Sequence, residues 1–149
     1  MIRSLTGIVL ALGVSLASSC GECGRRYPSD LPEKERLPVP GQSLRLGRGV
    51  QPDGNVPDSQ RTDVLMSYDT IYISIATSDV PPGSLGCLTI YEEGNDVPVW
   101  RNERSVFAGS SHLTFGIGPG SLPVNRYRAV LIVGERVAEH TFQVRERSA

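Results

Sequence analysis

Three cysteines, two histidines and a scatter of serines and carboxylates are the residues of this 149-residue chain with the potential for chemistry. Cys20-Gly21-Glu22-Cys23 has the C-x-x-C spacing of a redox pair or of half a zinc knuckle, and Cys87 is a distant third thiol. A redox pair of that kind precedes a helix in a βαβ setting. Here Arg25-Arg26-Tyr27-Pro28 follows, with no helical periodicity. A zinc site needs four good ligands, and Cys87 with His112 and His140 supplies no second knuckle. Ser110-Ser111-His112 contains the residue types of a nucleophile and its base. However, adjacent residues on a strand point to opposite faces, and no G-x-S-x-G elbow is present. His140 falls on the inward side of an alternating segment, where a core or rim position is expected. Asp53, Asn55 and Asp58 resemble part of a calcium loop, but without its full spacing or closing Glu they predict an Asx-rich turn.

The remaining candidates are weaker. Gly47-Arg48-Gly49 and Gly116-Ile117-Gly118-Pro119-Gly120 lack both the spacing of a phosphate loop and the helix that follows one. Glu92-Glu93 reads as a solvated acidic turn. Tyr72, Tyr91 and Trp100 would make a platform for sugars if they shared an outer face, while core or rim packing explains them equally well. No catalytic residue, metal or cofactor is expected from the sequence. A formal charge of −1 and a pI near 6.1 also remove the electrostatic case for nucleic acid, which calls for a basic patch.

The elements that would carry these residues follow from composition and pattern. The length suits one domain rather than two independent cores. With 39% apolar and 21% charged residues the chain suits a folded body, and 16 Gly with 11 Pro lean it towards strands and turns. Arg3 supplies a positive start, and residues 5–17 then form an uncharged apolar stretch. That length fits the core of an export signal and falls short of the roughly 20 residues a spanning helix needs. Residues 1–19 are therefore expected to be a signal peptide. Residues 20–40 contain Pro28, Pro32, Pro38 and Pro40 with charges between them, which predicts an extended linker reaching about 25 Å as a coil or 60 Å as polyproline.

From residue 41 to 149 the pattern is one of strands. Residues 43–47 alternate and read as a first edge strand, followed by a turn at Pro52-Asp53-Gly54-Asn55. Residues 70–77 place Ile71, Ile73 and Ile75 on one face, a period of two. Residues 85–91 continue with Leu88 and Ile90 opposite Cys87, Thr89 and Tyr91. Residues 97–101 predict a short edge strand because of Pro98. Residues 111–117 align Leu113, Phe115 and Ile117, and residues 126–133 align Tyr127, Ala129, Leu131 and Val133. Gly134-Glu135 suits a two-residue II′ hairpin into residues 136–145, with Ala138, His140, Phe142 and Val144 inward. About seven short strands predict an all-β, antiparallel β-sandwich.

Two resemblances extend this reading. Leu16-Ala17-Ser18-Ser19-Cys20 resembles the lipobox of bacterial lipoproteins, although Ala17 stands where a large apolar residue is usual. It implies that Cys20 becomes the lipidated first residue of the mature chain. Ordinary signal peptidase, which wants small residues one and three before its cut, would cleave the same bond without lipidation. If Cys20 carries lipid, Cys23 and Cys87 remain as a pair able to form one disulfide in an oxidising compartment. That bridge would close a loop of about 65 residues and contribute about 4 kcal/mol in the chain-entropy account.

The segment Asp69-Thr70-Ile71-Tyr72-Ile73-Ser74-Ile75-Ala76-Thr77, preceded by Gly49-Val50 and Asp53-Gly54, is similar to small bacterial lipoproteins with an immunoglobulin-like domain. So is the ending from Tyr127-Arg128-Ala129-Val130-Leu131 through Gly134 to Phe142-Gln143-Val144. The resemblance implies an immunoglobulin-like sandwich in which the Tyr127 hydroxyl bonds back to the preceding loop, with Asn125 in place of a usual turn glycine. It implies a bacterial cell-envelope location with the membrane engaged through the lipid. Gly21, lacking the Asp of inner-membrane retention, favours the periplasmic side of the outer membrane. The expected role is a non-enzymatic module that binds an envelope protein partner or acts as an accessory subunit. The alternative is a carbohydrate- or peptidoglycan-binding domain built on the tyrosines and Trp100.

Overall fold

A computed structural model describes residues 44–134 and 136–148. The signal segment, Cys20, Cys23 and the linker lie outside the described residues. Among the described residues eight strands form: β1 (Arg45–Gly47), β2 (Val64–Met66), β3 (Ile71–Ala76), β4 (Leu85–Glu92), β5 (Pro98–Ser105), β6 (His112–Ile117), β7 (Asn125–Val133) and β8 (Arg136–Arg145). A 3₁₀ turn, Asp58–Gln60, interrupts the β1–β2 connection. No helix among the described residues is long and apolar enough to cross a membrane.

The strands fall into two sheets, a three-stranded one in the order β1-β3-β6 and a five-stranded one in the order β2-β8-β7-β4-β5. The inward residues of both belong to one apolar cluster. Ile71, Ile73, Ile75, Leu113, Phe115 and Ile117 face Leu88, Ile90, Tyr127, Leu131, Phe142 and Val144 across the interior. This sandwich-like arrangement follows from the period-two pattern, because each alternating strand hides only one face and needs a second sheet to cover it. Burying each such Leu, Ile or Phe side chain contributes roughly 1.5–3 kcal/mol.

The expected antiparallel arrangement needs one correction. Five of the six strand pairings are antiparallel, the β7–β8 hairpin among them, but β2 runs parallel to β8, with Leu65 beside Val144. The five-stranded sheet is mixed because the chain reaches it from β1 in the other sheet by a long connection. A strand arriving that way is not bound to the antiparallel geometry of a tight hairpin. β5 is also longer than residues 97–101, and it forms the sheet margin as Pro98 predicted. The β7–β8 connection has two residues, since Val133 pairs with Arg136, and Gly134 takes the left-handed φ of +58° such a turn requires. The II′ assignment rests on Glu135, outside the described residues.

Tyr127 is fully buried. Its hydroxyl donates to the Pro123 carbonyl at 2.6 Å, and its ring stacks on Phe142 with centroids 5.5 Å apart. This is the backward bond that the sequence led us to expect. Burial, and then the negative charge of Glu92, hold the Tyr127 hydroxyl above its ordinary pKa of 10.0. At the hairpin, Arg136 meets Asp79 at 2.6 Å, a hydrogen bond that raises the guanidinium further above its usual range.

Candidate functional site

The outer face of the three-stranded sheet is roofed by the connection between β1 and β2. Residues 51–55 close a turn in which the Gly54 amide donates to the Gln51 carbonyl and the Gln51 amide to the Asn55 carbonyl. Asp53 Oδ1 accepts the Asn55 amide at 2.9 Å, the Asx turn expected from the sequence. Asp58 pairs instead with Arg45 and Arg61. Among the described residues no three His, Cys, Asp or Glu side chains group to hold a metal. The roof is pinned at three points on the sheet: Ser74 Oγ accepts the Val56 amide, Thr114 Oγ1 donates to the Gly54 carbonyl, and Arg45 reaches the Val56 carbonyl. Val56 and Ser74 are consequently fully buried.

Beside this roof a concavity of about 430 Å³ opens between residues 52–54, the end of β5 and the loop leading to β6. Ser111, His112, Arg104 and Phe107 line it. Ser111 lies in the bend before β6 rather than on the strand, so its Oγ comes within 3.0 Å of His112 Nδ1. The strand argument that these neighbours diverge is therefore overturned locally, because the alternation starts only at His112. Which partner donates depends on the imidazole tautomer. Ser111 Oγ also approaches the Asp53 carbonyl at 3.4 Å. The Asp53 carboxylate is engaged by the Asn55 amide, and among the described residues no carboxylate is hydrogen-bonded to the His112 ring. Arg104, itself exposed, reaches across to β6 and donates to the Thr114 carbonyl. The pair thus lacks the orienting third group of an activated nucleophile.

His140 sits at the rim, where its Nε2 is 2.7 Å from Asp63 Oδ1. Asp63 carried no sequence signal. It reaches His140 because the Asp63 carbonyl accepts the Gln143 amide just as β2 joins β8. Next to them, Arg126 and Glu93 meet at 3.7 Å beside a shallow cleft of about 250 Å³. Exposed pairs of this kind contribute little to stability.

The three aromatic residues do not share a face. Trp100 packs inward against the main core, Tyr91 lies on the outer side of the five-stranded sheet, and Tyr72 lies on the outer side of the other sheet, over its cross-strand partner Gly116. Tyr91 is further occupied by Arg128, whose guanidinium lies 5.1 Å from the ring centroid. The conditional sugar platform is therefore not assembled. Both glycine-rich stretches serve the backbone: Gly47 closes against the Gln60 carbonyl, and Gly120 takes φ +74° while donating to Ser67.

The most open feature is β5. It lies at the margin of the five-stranded sheet, and only Trp100 is even half-buried along its length. Val97 and Val99 at one end, and Phe107 just past the other, are exposed at 65%, 42% and 73%. Sequence reading missed residues 102–105 as strand, because Asn102-Glu103-Arg104-Ser105 has no apolar alternation to register. No protein-family model matches this chain, and no curated protein matches it either.

Proposed function

We propose that the protein is a lipid-anchored, non-enzymatic module of the bacterial cell envelope that binds a protein partner or serves as an accessory subunit. In this reading Cys20 carries the anchor at the periplasmic side of the outer membrane, and Cys23 is bridged to Cys87. Each buried acyl CH₂ contributes about 0.8 kcal/mol, so two or three chains make attachment effectively permanent.

The body is read as immunoglobulin-like on three supports. A three-stranded sheet faces a five-stranded one, the chain passes between sheets at the β1–β2, β2–β3, β3–β4, β5–β6 and β6–β7 connections, and Tyr127 bonds back to Pro123.

The observation that carries the binding role is the open margin along β5, flanked by exposed Val97, Val99 and Phe107. A free edge offers main-chain donors and acceptors to an added strand, and flanking apolar residues supply side-chain anchors. Pro98, Arg101, Glu103 and Arg104 discourage indiscriminate pairing, which favours a selective partner over self-association. The test is in the native host. A photo-crosslinking side chain placed at position 107 should yield one discrete envelope-protein adduct, identified by mass spectrometry. Adducts scattered over many proteins, or none, would remove the proposal. Intact mass of the purified chain tests the anchor separately.

A further inference from the structure

The outer face of the five-stranded sheet is buried where no described strand covers it. Register places its side chains in rungs: Cys87, Ile132 and Val137 in one, Thr89, Val130 and Glu139 in the next, and Tyr91, Arg128 and Thr141 in the third. Tyr91, Val130 and Val137 form an apolar cluster separate from the main core, with Ile132 packed against it. Cys87 and Tyr91 are each 3% exposed and Val130 is 1% exposed. On the opposite sheet such burial is explained by the roof of residues 51–58. Here all eight described strands belong to the two sheets, and the second sheet lies on the other side.

We infer that this face is the docking groove of the chain's own segment 20–40, clamped by a Cys23–Cys87 disulfide. The inference rests on the cysteine pairing of the preceding reading and is independent of lipidation. Three observations select this occupant. The covered strip is narrow: Arg101, Glu103, Glu139 and Thr141 around it stay open to solvent, which suits one extended chain about 5 Å wide. Within the segment, Cys23, Tyr27 and Leu31 recur every four residues and so share one side of an extended chain, while Pro28 and Pro32 disfavour any helix. The 20 residues between Cys23 and Leu44 reach roughly 60 Å when extended, enough to round a sandwich whose sheets lie about 10 Å apart and enter β1 on the other sheet.

The bridge forms as each thiol gives up one hydrogen. The two electrons and two protons pass to a disulfide-bearing oxidoreductase of the export compartment, whose own disulfide becomes a dithiol. Residues 20–40 then act as a strap rather than a spacer, and the body is held within three residues of Cys20.

The test uses the full chain, never reduced. Proteolysis and mass spectrometry should find a peptide joining Cys23 to Cys87, two hydrogens lighter than its separate halves. A Cys20–Cys87 bridge, or no bridge at all, overturns the assignment. Hydroxyl-radical footprinting should oxidise Tyr91 at least several-fold more slowly than Tyr68, which is 54% exposed. In a full-length chain with residues 24–40 replaced by glycine and serine, Tyr91 oxidation should rise several-fold while Phe115 stays protected. Unchanged Tyr91 protection there refutes the docked strap. The intact mass at Cys20 reads the anchor independently, so loss of one reading does not carry the other.

Discussion

Removing the hydroxyl of Tyr127 isolates one hydrogen bond within an otherwise unchanged core. In Tyr127→Phe the ring keeps its full burial and its stack on Phe142, and only the 2.6 Å bond to the Pro123 carbonyl is lost. A typical intramolecular hydrogen bond contributes about 0.5–1.5 kcal/mol net, and an orphaned buried partner costs about 1–3 kcal/mol more. Pro123 is exposed, so water can take over its carbonyl and the larger penalty does not apply. The expected loss is therefore about 1 kcal/mol. For a body of roughly this size it lowers Tm by about 4–8 °C. Tyr127→Ala also empties the ring's site beside Phe142 and should cost about 3–5 kcal/mol. Urea unfolding followed by Trp100 fluorescence measures both, with an unchanged m-value expected for the phenylalanine variant. A Tyr127→Phe loss equal to that of Tyr127→Ala would refute the partition between hydroxyl and ring. No loss at all would refute the claim that the backward bond stabilises the β6–β7 connection.

The same hydroxyl predicts an alkaline limb. Its folded pKa lies above 10.0, so above that pH the folded state retains a proton the unfolded chain releases, and stability falls as pH rises through the folded value. Tyr127→Phe should flatten that fall, as read by Tm between pH 9 and 11. Gly47→Ala places a Cβ against the Gln60 carbonyl and Val56, and should destabilise by about 1–3 kcal/mol while exposing residues 49–58 to limited proteolysis. Asp63→Asn at the exposed His140 pair should change stability by less than about 1 kcal/mol in thermal unfolding. Phe107→Asp should leave Tm within experimental error, since the ring is 73% exposed, yet abolish capture of the proposed partner. Retained capture would take Phe107 out of the binding surface.

The sequence by itself determined which residues face the core in the long strands. Ile71, Ile73 and Ile75, or Leu113, Phe115 and Ile117, alternate strictly, and a strand's two-residue period admits only one inward face. It also determined the Asx turn at Asp53, because a short acceptor two residues before a free amide closes that turn locally. What only the tertiary structure decided were relations between distant segments. Three residues at 64–66 carry too little pattern to announce a strand, and β2 exists because β8 offers it a parallel edge. Nothing near Asp63 points to His140, and nothing in the spacing of Tyr72, Tyr91 and Trp100 says that they occupy three different surfaces. Residues 102–105 carry no strand signal because a margin strand exposed on both faces needs no apolar alternation. Local backbone and periodicity are encoded within a few neighbours, whereas sheet membership is settled by what the rest of the chain places alongside.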